Sequence, residues 1–363
     1  MLDNKKKICY FAGTHGDWGG ASRVLFTTLR LLDRQRFEPI VLLTREGPAT
    51  ELLKEMDIRY EIWGDMLEFS SITGYSNRIF KTYAWLSREK IDVIHVNRAT
   101  GWRPAEYLAA KLRMTPIITH FHTAVTQAAP YTRMSTVIAA VSQYVANASK
   151  TQGIPVEVIH NSVNIEQFSC GKDIRRELGI DSDDVVVMFA GQIKRIKGVD
   201  NFIKMAARLK GENVRFLIAG ECRGGAGRQD AYTQDELQHE ISIDPRIKYL
   251  GYRTDMPDIY RSSDIVVMPS RWEEPFGLII TESGAASRPI VATRVGGIPE
   301  VIKDKETGFI VDPEDVEQMA RTVQKLIDSP IMRSKIGSAA RQLVEKEFTT
   351  TPIRKLEEIY ESL

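Results

Sequence analysis

Short apolar runs rich in Val and Ile alternate along this chain with longer stretches whose apolar positions recur every three or four residues, the pattern of strands followed by amphipathic helices. In the first half the runs are "KICYFA", "PIVLLT", "DVIHV", "PIITH" and "VIAAVS". In the second they are "VVVMFAG", "RFLIAG", "IKYLG", "IVVMPS", "PIVAT" and "GFIVD". Several are apolar on both faces, which suits strands of a parallel sheet covered by helices on either side. The spacing predicts helices over 19–32, 75–90, 103–113, 199–210, 277–287, 314–327 and 331–346. The stretch "GIPVEVIHNSVNIEQFS" interrupts the alternation with Pro, Asn and Ser, so one βα series ends near residue 165 and a second begins. The expected architecture is α/β, with one doubly wound domain over 1–165, another over 166–345, and a last helix in 346–363 that crosses back to the first. Doubly wound folds bind ligands beyond the carboxyl ends of their strands, so two such domains imply two sheets opening on one central cleft.

A chain of 363 residues fits two domains of ordinary size. Net charge is only +1, yet residues 1–150 hold 20 Lys and Arg against 14 Asp and Glu, and the remainder 29 against 34. A mildly basic first half suits an anionic ligand or an anionic membrane surface, and it is too weak to argue for nucleic acid. Cys9, Cys170 and Cys222 are scattered without a CxxC pair or metal-ligand spacing, as expected of reduced packing residues in a cytoplasmic protein. The start "MLDNKKKICYFAG" has an apolar run too short for a signal peptide, and no apolar run is long enough to span a bilayer. Membrane contact would therefore be peripheral, at the inner face. Its candidate lies in 77–90 and 97–114, where Arg78, Lys81, Arg88, Arg98, Arg103, Lys111 and Arg113 are interleaved with Phe80, Tyr83, Trp85, Trp102 and Tyr107. That mixture suits a membrane interface, and it equally suits amphipathic helices whose aromatics lie in the core.

Two strand–helix turns carry the residues that anion sites use. In "FAGTHGDWGGASRVLFTTL", Gly13, Gly16, Gly19 and Gly20 would let backbone approach a ligand, with free N–H groups at the helix start. The spacing is not GxGxxG, and a tight turn explains the glycines equally well. "GQIKRIKGVDNFIKM" places Lys194, Arg195 and Lys197 before a helix opened by Gly198. Cations at a helix start oppose the helix dipole, which makes sense if an anion sits there; the alternative is a solvated basic loop.

His120 and His122 in "IITHFHTA" fall at a strand end, and alternate strand positions point the same way, so both could reach one ligand. Neither HExxH nor an acidic DxD is present, GxSxG is absent, and no cysteine is in an activating setting, so neither a metal nor a protein nucleophile is expected. The stretch "EEPFGLIITES" sets Glu274 and Glu282 eight positions apart. Pro275 suits a first helical turn, and the N–H groups of Gly277, Leu278 and Ile279 would then be free for a phosphate. Carboxylates spaced over roughly 10 Å could grip hydroxyls at both ends of a nucleotide-sugar, with its diphosphate on the amides between them. A glycosidase would want both carboxyls at one sugar ring.

"EPFGLIITE" resembles the E-x7-E signature of the retaining glycosyltransferases of family 4, which have the GT-B fold. "GDWGGASRVL", "HFHT", "VIHNSVNIEQF", "GQIKRIKGVD", "FLIAGE", "YLGY" and "ATRVGGIPEVI" occur with it in that family's order. The resemblance implies Gly19 and Gly20 against the donor phosphates or acceptor, His122 by the transferred sugar, and Lys197 neutralising the diphosphate. It implies Glu274 on the sugar hydroxyls, Glu282 on the ribose, and backbone near Tyr252 and Arg253 at the base. Gln192, Arg195, Phe276, Gly277, Leu278 and Ile279 complete the implied donor set. The expected activity is metal-independent hexosyl transfer with retention, from a UDP-sugar rather than a GDP-sugar, to a saccharide or lipid-linked acceptor in cell-surface glycan synthesis. No cofactor is implied beyond the donor, which is a substrate. The chain departs from the pattern at Gln192, where the family usually has arginine, so Lys194 or Arg195 would have to supply the missing charge. His160, Asn161 and Ser162 replace the usual "PNG", and "GECRGGAGRQDAY" is longer than the usual loop. Two rivals stand beside this reading: a nucleotide-sugar 2-epimerase on the same fold, and a non-catalytic partner of another transferase.

Overall fold

The structure, a computed structural model, describes residues 5–12, 19–64, 72–97, 104–225 and 230–363. The chain forms two compact units, one of Met1–Ser162 with Thr350–Leu363 and one of Val163–Thr349.

The first unit is built on seven strands: β1 (Lys6–Phe11), β2 (Phe37–Leu43), β3 (Arg59–Ile62), β4 (Val93–Val96), β5 (Ile117–Phe121), β6 (Val137–Ala140) and β7 (Val156–Val158). They form one parallel sheet in the order β3-β2-β1-β4-β5-β6-β7. Central strands β4, β5 and β6 are buried at every position, as their unbroken apolar runs require. The edge strands β3 and β7 were not expected. "RYEI" and "VEV" carry polar residues at positions the sheet leaves half-covered, so neither reads as a core strand. The helix Thr351–Ser362 belongs to this unit. Its Leu356 and Tyr360 join Ile8, Tyr10, Leu25, Leu29 and Phe37 in one core, and Glu357 accepts from the Asp33 backbone N–H at 2.9 Å.

The second unit holds β8 (Val185–Ala190), β9 (Val214–Ala219), β10 (Ile247–Gly251), β11 (Ile265–Met268), β12 (Ile290–Thr293) and β13 (Phe309–Val311), parallel in the order β10-β9-β8-β11-β12-β13. In both sheets the order reverses beside the first strand of the series, the switch point at which such folds take ligands. The helix Leu278–Ala285 is one residue shorter at its start than the pattern suggested, and six of its eight residues are buried. It is seated tightly against the helix Pro330–Glu347: a Cβ on Gly284 would fall 2.6 Å from Val344 Cγ2.

Candidate active site

The second unit gathers Lys197, Glu274 and the helix start at Leu278 through two turns at strand ends. After β8 the chain passes Gly191 and makes a single 3₁₀ turn, Arg195–Lys197, that ends at Gly198 in the left-handed region, φ 77°. A Cβ there would lie 1.8 Å from the Pro269 carbonyl oxygen, so only glycine lets this turn press against the end of β11. The turn after β11 closes on it, with the N–H groups of Arg271 and Trp272 donating to Ile196 O at 2.8 and 3.0 Å. Lys197 Nζ consequently lies 2.6 Å from Glu274 Oε1 and 4.0 Å from the centre of the Trp272 ring.

Glu274 is 6% exposed. The Ser270 hydroxyl donates to its Oε1 at 3.0 Å, and its backbone oxygen accepts from Gly297 N–H at 2.7 Å. Gly296 has φ 53°, and a Cβ on it would fall 2.1 Å from that same backbone oxygen. Burial pulls the Lys197 ammonium below its ordinary value, Glu274 pulls it back up, and nearby Lys194 adds a like charge that lowers it again. The ammonium thus sits in a poorly solvated place with one carboxylate partner, a setting an anionic ligand would improve.

Gly277 caps the helix Leu278–Ala285 at φ 87°. The first N–H groups of a helix have no carbonyl partner within it, so Leu278 and Ile279 offer donors beside Glu274. Phe276 turns inward, 1% exposed and packed on Phe348 with ring centres 5.7 Å apart, leaving its backbone rather than its ring for a ligand. Glu282 is buried further along the helix, and Tyr260 Oη donates to its Oε2 at 2.9 Å.

The other expected cations are engaged elsewhere. Lys194 Nζ lies 3.3 Å from Asp230, while the Arg195 guanidinium stacks 4.4 Å over Tyr232 and donates to its hydroxyl at 2.9 Å. Both hold the described end of the glycine-rich loop, so neither shares Glu274 with Lys197, although Lys194 remains near enough to lower it. The Gln192 side chain is exposed. Tyr252 is exposed beyond β10, and Arg253 donates to Asp255 at 2.8 Å.

In the first unit, Gly19 caps the helix Gly20–Leu31, and among the described residues nothing lies within 4 Å of its Cβ position. Gly13 and Gly16 lie outside the described residues. His122 follows β5, with Nε2 3.1 Å from Asn97 Oδ1, and its ring stacks on His120. Burial lowers His122 to about 4 and His95 to about 3, and lowers His120 further still. All three are neutral at pH 7. Among the described residues, no group of three or more His, Cys, Asp or Glu side chains is arranged to hold a metal ion.

A model of the glycosyl transferases group 1 family matches residues 171–343, and one of Glycosyltransferase Family 4 matches residues 18–167. The chain belongs to the group 1 and family 4 glycosyltransferases. Among curated relatives of this chain, the D-inositol 3-phosphate glycosyltransferase of Corynebacterium kroppenstedtii is 32% identical over 218 residues, 57% of this chain and 48% of that one. That of a Mycobacterium species is 35% identical over 176 residues, 47% of this chain and 39% of that one. The chain thus spans about half the length of the curated relatives it matches, or less. Among solved structures, a glycosyltransferase from Rickettsia africae gives a TM-score of 0.85 at 20% identity, over 99% of this chain and 98% of that one. HepE of Anabaena, solved with UDP and glucose, gives 0.81 at 22% identity over 99% and 100%. At such identity these likenesses show the fold, GT-B.

Of the expected site residues, the structure holds Lys197 on Glu274, which precedes Gly277, Leu278 and Ile279 by three to five positions at the start of their helix. It places Arg195 on Tyr232 instead. Ser270, Trp272, Tyr260 and Gly296 were not expected. Trp272, Tyr260 and Gly296 each sit on a different turn or helix from the residue they support, Ser270 lies four positions before Glu274 on the same turn, and only "GGIP" hinted at the close approach that Gly296 makes.

Proposed function

We propose that the chain transfers a hexosyl group, with retention, from a UDP-sugar to a hydroxyl of a saccharide or lipid-linked saccharide, in cell-surface glycan synthesis. The observation that carries this is the half-buried Lys197 ammonium held on Glu274 beside the donors of a rigidly seated helix start. A structural neighbour solved with UDP and glucose supports the choice of donor. In the reaction, the bond from the anomeric carbon to the diphosphate breaks and negative charge grows on the leaving oxygen. Lys197 and the amides of Leu278 and Ile279 stabilise that charge without reorganising. Glu274, freed from Lys197, accepts from sugar hydroxyls, Glu282 accepts from the ribose, and His122 meets the transferred sugar. The acceptor oxygen attacks on the face the diphosphate leaves, and the departing phosphate oxygen takes its proton, so no enzymic nucleophile is used and no metal is needed.

A panel of nucleotide-sugars, assayed for nucleoside diphosphate release with and without saccharide acceptors, tests this. Acceptor-dependent UDP release with an α-linked product from an α-linked donor is expected. Conversion of the nucleotide-sugar to its 2-epimer would favour the isomerase, and inertness towards every donor a non-catalytic partner role. Peripheral membrane contact is proposed in narrower form than the sequence suggested. Trp85 and Tyr107 are core residues, while Phe80 and Tyr83 remain exposed on the helix Ile72–Glu89, and Leu112 and Met114 at the end of its neighbour Pro104–Arg113. Arg98, Trp102 and Arg103 lie outside the described residues.

A further inference from the structure

His122 stands at the end of a chain of rings that runs through the first unit. The hydroxyls of Tyr10 and Tyr360 are 2.8 Å apart, Tyr360 Oη is 2.5 Å from His95 Nδ1, and His95 Nε2 is 3.2 Å from His120 Nδ1. The His120 ring then stacks on that of His122, with centres 4.3 Å and planes 27° apart. Tyr10, His95, His120 and Tyr360 are all buried. Hydrocarbon side chains would fill this space without the cost of keeping every polar atom partnered, so the chain calls for a reason.

Each junction can be satisfied in two directions. Protons can point from Tyr10 through Tyr360 and His95 to His120, or all the way back. Either way His120 Nε2, buried against the His122 end, has no hydrogen-bond partner among the described residues. The other end is Tyr10, fully buried, so among the described residues the chain ends inside the core and suits holding rings in place rather than passing a proton. It fixes ring planes and tautomers. The tautomer of His122 itself follows from its neighbour. Asn97 Nδ2 donates to Ala21 O at 3.1 Å, so Asn97 Oδ1 faces His122 and accepts from its Nε2–H. His122 Nδ1 therefore carries the lone pair, an acceptor suited to a hydroxyl. Three neutral imidazoles are consistent with this, since a proton on any one would face the others unscreened.

We propose that Tyr360 of the C-terminal helix is a positioning residue for His122, acting through His95 and His120 to set the plane in which His122 offers Nδ1 to a ligand hydroxyl. This rests on the reading of His122 as a sugar-contacting residue. It gives the last helix of the chain a part in the reaction beyond closing a core.

The test compares wild type with Tyr360→Phe, His95→Leu and His95→Gln, by ring-nitrogen NMR of the histidines and by steady-state kinetics on the active donor. In wild type at neutral pH, His122 should show one tautomer, protonated at Nε2. In Tyr360→Phe and His95→Leu the His120 nitrogens should shift towards tautomer averaging, and the His122 nitrogen shifts should move as the ring stacked on it reorients, its Nε2–H tautomer still held by Asn97. Their kcat should fall by roughly 10-fold, the lower range for outer partners that orient a working ligand, with donor KM within about twofold. His95→Gln, whose amide can still donate and accept, should recover part of both signals. If Tyr360→Phe melts lower yet leaves the His122 nitrogens and kcat as in wild type, the chain only docks the helix and the proposal is wrong. If Tyr360→Phe does not fold, the His95 pair decides in the same way. The NMR readout needs no substrate, so a protein inert towards every nucleotide-sugar would sink the transferase reading while leaving the coupling of Tyr360 to His122 measurable.

Discussion

Replacing Lys197 by alanine removes the ammonium 2.6 Å from Glu274 and strands a carboxylate that, among the described residues, keeps only the Ser270 hydroxyl as a side-chain partner. Leaving one member of a fully buried pair alone costs about 3–5 kcal/mol. Here the Lys197 side chain is 18% exposed, so water can follow into the vacated space, and a stability loss of about 1–3 kcal/mol is expected. The effect on rate should be larger. Neither neighbouring cation can move in without abandoning its own partner, since Lys194 is 3.3 Å from Asp230 and Arg195 is stacked on Tyr232 and bonded to its hydroxyl. Loss of one preorganised electrostatic donor costs about 10²- to 10³-fold in kcat, or roughly 2.7–4 kcal/mol. The assay is initial-rate UDP release with the active donor and acceptor, on a variant whose melting curve shows it folded at the assay temperature. Arg195→Ala, run beside it, should lose far less. Lys197→Ala within about threefold of wild type, or Arg195→Ala matching it, would refute the assignment of Lys197 as the diphosphate cation.

Gly296→Ala should lower stability by roughly 2–4 kcal/mol and reduce kcat as well, because the new Cβ would displace the Glu274 backbone from 2.1 Å away; an unchanged denaturant midpoint would show that this turn can open. Activity should survive EDTA, and abolition by chelator with recovery on adding Mg²⁺ or Mn²⁺ would overturn the metal-free mechanism. Burial holds His122 at about 4 and His95 at about 3 against an ordinary 6.5, so the unfolded chain binds protons that the folded first unit refuses. Stability is then full above the ordinary value and drains as pH falls from 6.5 towards 4; urea melts that stay flat across that interval would contradict it. Co-sedimentation with anionic vesicles should occur at low salt and weaken as salt is added, and protein left in the supernatant at low salt would end the membrane proposal.

The parts of the fold that were legible are those where burial dictates composition. Strands such as "VVVMFA" and "IITHF" are apolar because helices cover both faces, so their places in two parallel sheets could be read directly. Edge strand "RYEI" follows no such rule, and short helices such as Pro48–Glu55 and Met256–Ser262 are too brief to show a period. Within the site, Lys197 and Glu274 carried a signal because charge beside glycine at a strand end is costly without a use. Of the ring chain, only the pair His120 and His122 carried one. His95 lies inside "DVIHV", which reads as an ordinary strand, and Tyr360 is 265 positions away on a helix whose pattern explains it as core. Charges could be counted but not assigned partners: three cations in "KRIK" look equivalent, and only the fold gives two of them to Asp230 and Tyr232.

That division of the cations bears on how the proposed site can work with Gln192 where an arginine is usual. Two free cations beside a buried carboxylate would leave one unpaired whenever the donor is absent, an expensive state in a poorly solvated turn. With Lys194 and Arg195 spent on the loop, the turn holds one ammonium and one carboxylate, which satisfy each other at 2.6 Å. In the proposed reaction, the diphosphate takes Lys197 from Glu274, and the sugar hydroxyls take Glu274 from Lys197, so neither charge is left bare at any stage. The rest of the neutralisation falls to backbone amides, which cost nothing to keep unpaired beyond ordinary hydration at an open helix start. Such dipoles are useful only if they do not move. The seat supplied by Gly284 against Val344, and by Gly337, whose Cβ would lie 2.2 Å from Ser287 O, holds this helix with its first N–H groups fixed. The glycines that make that packing possible are therefore as much a part of the proposed diphosphate site as the lysine.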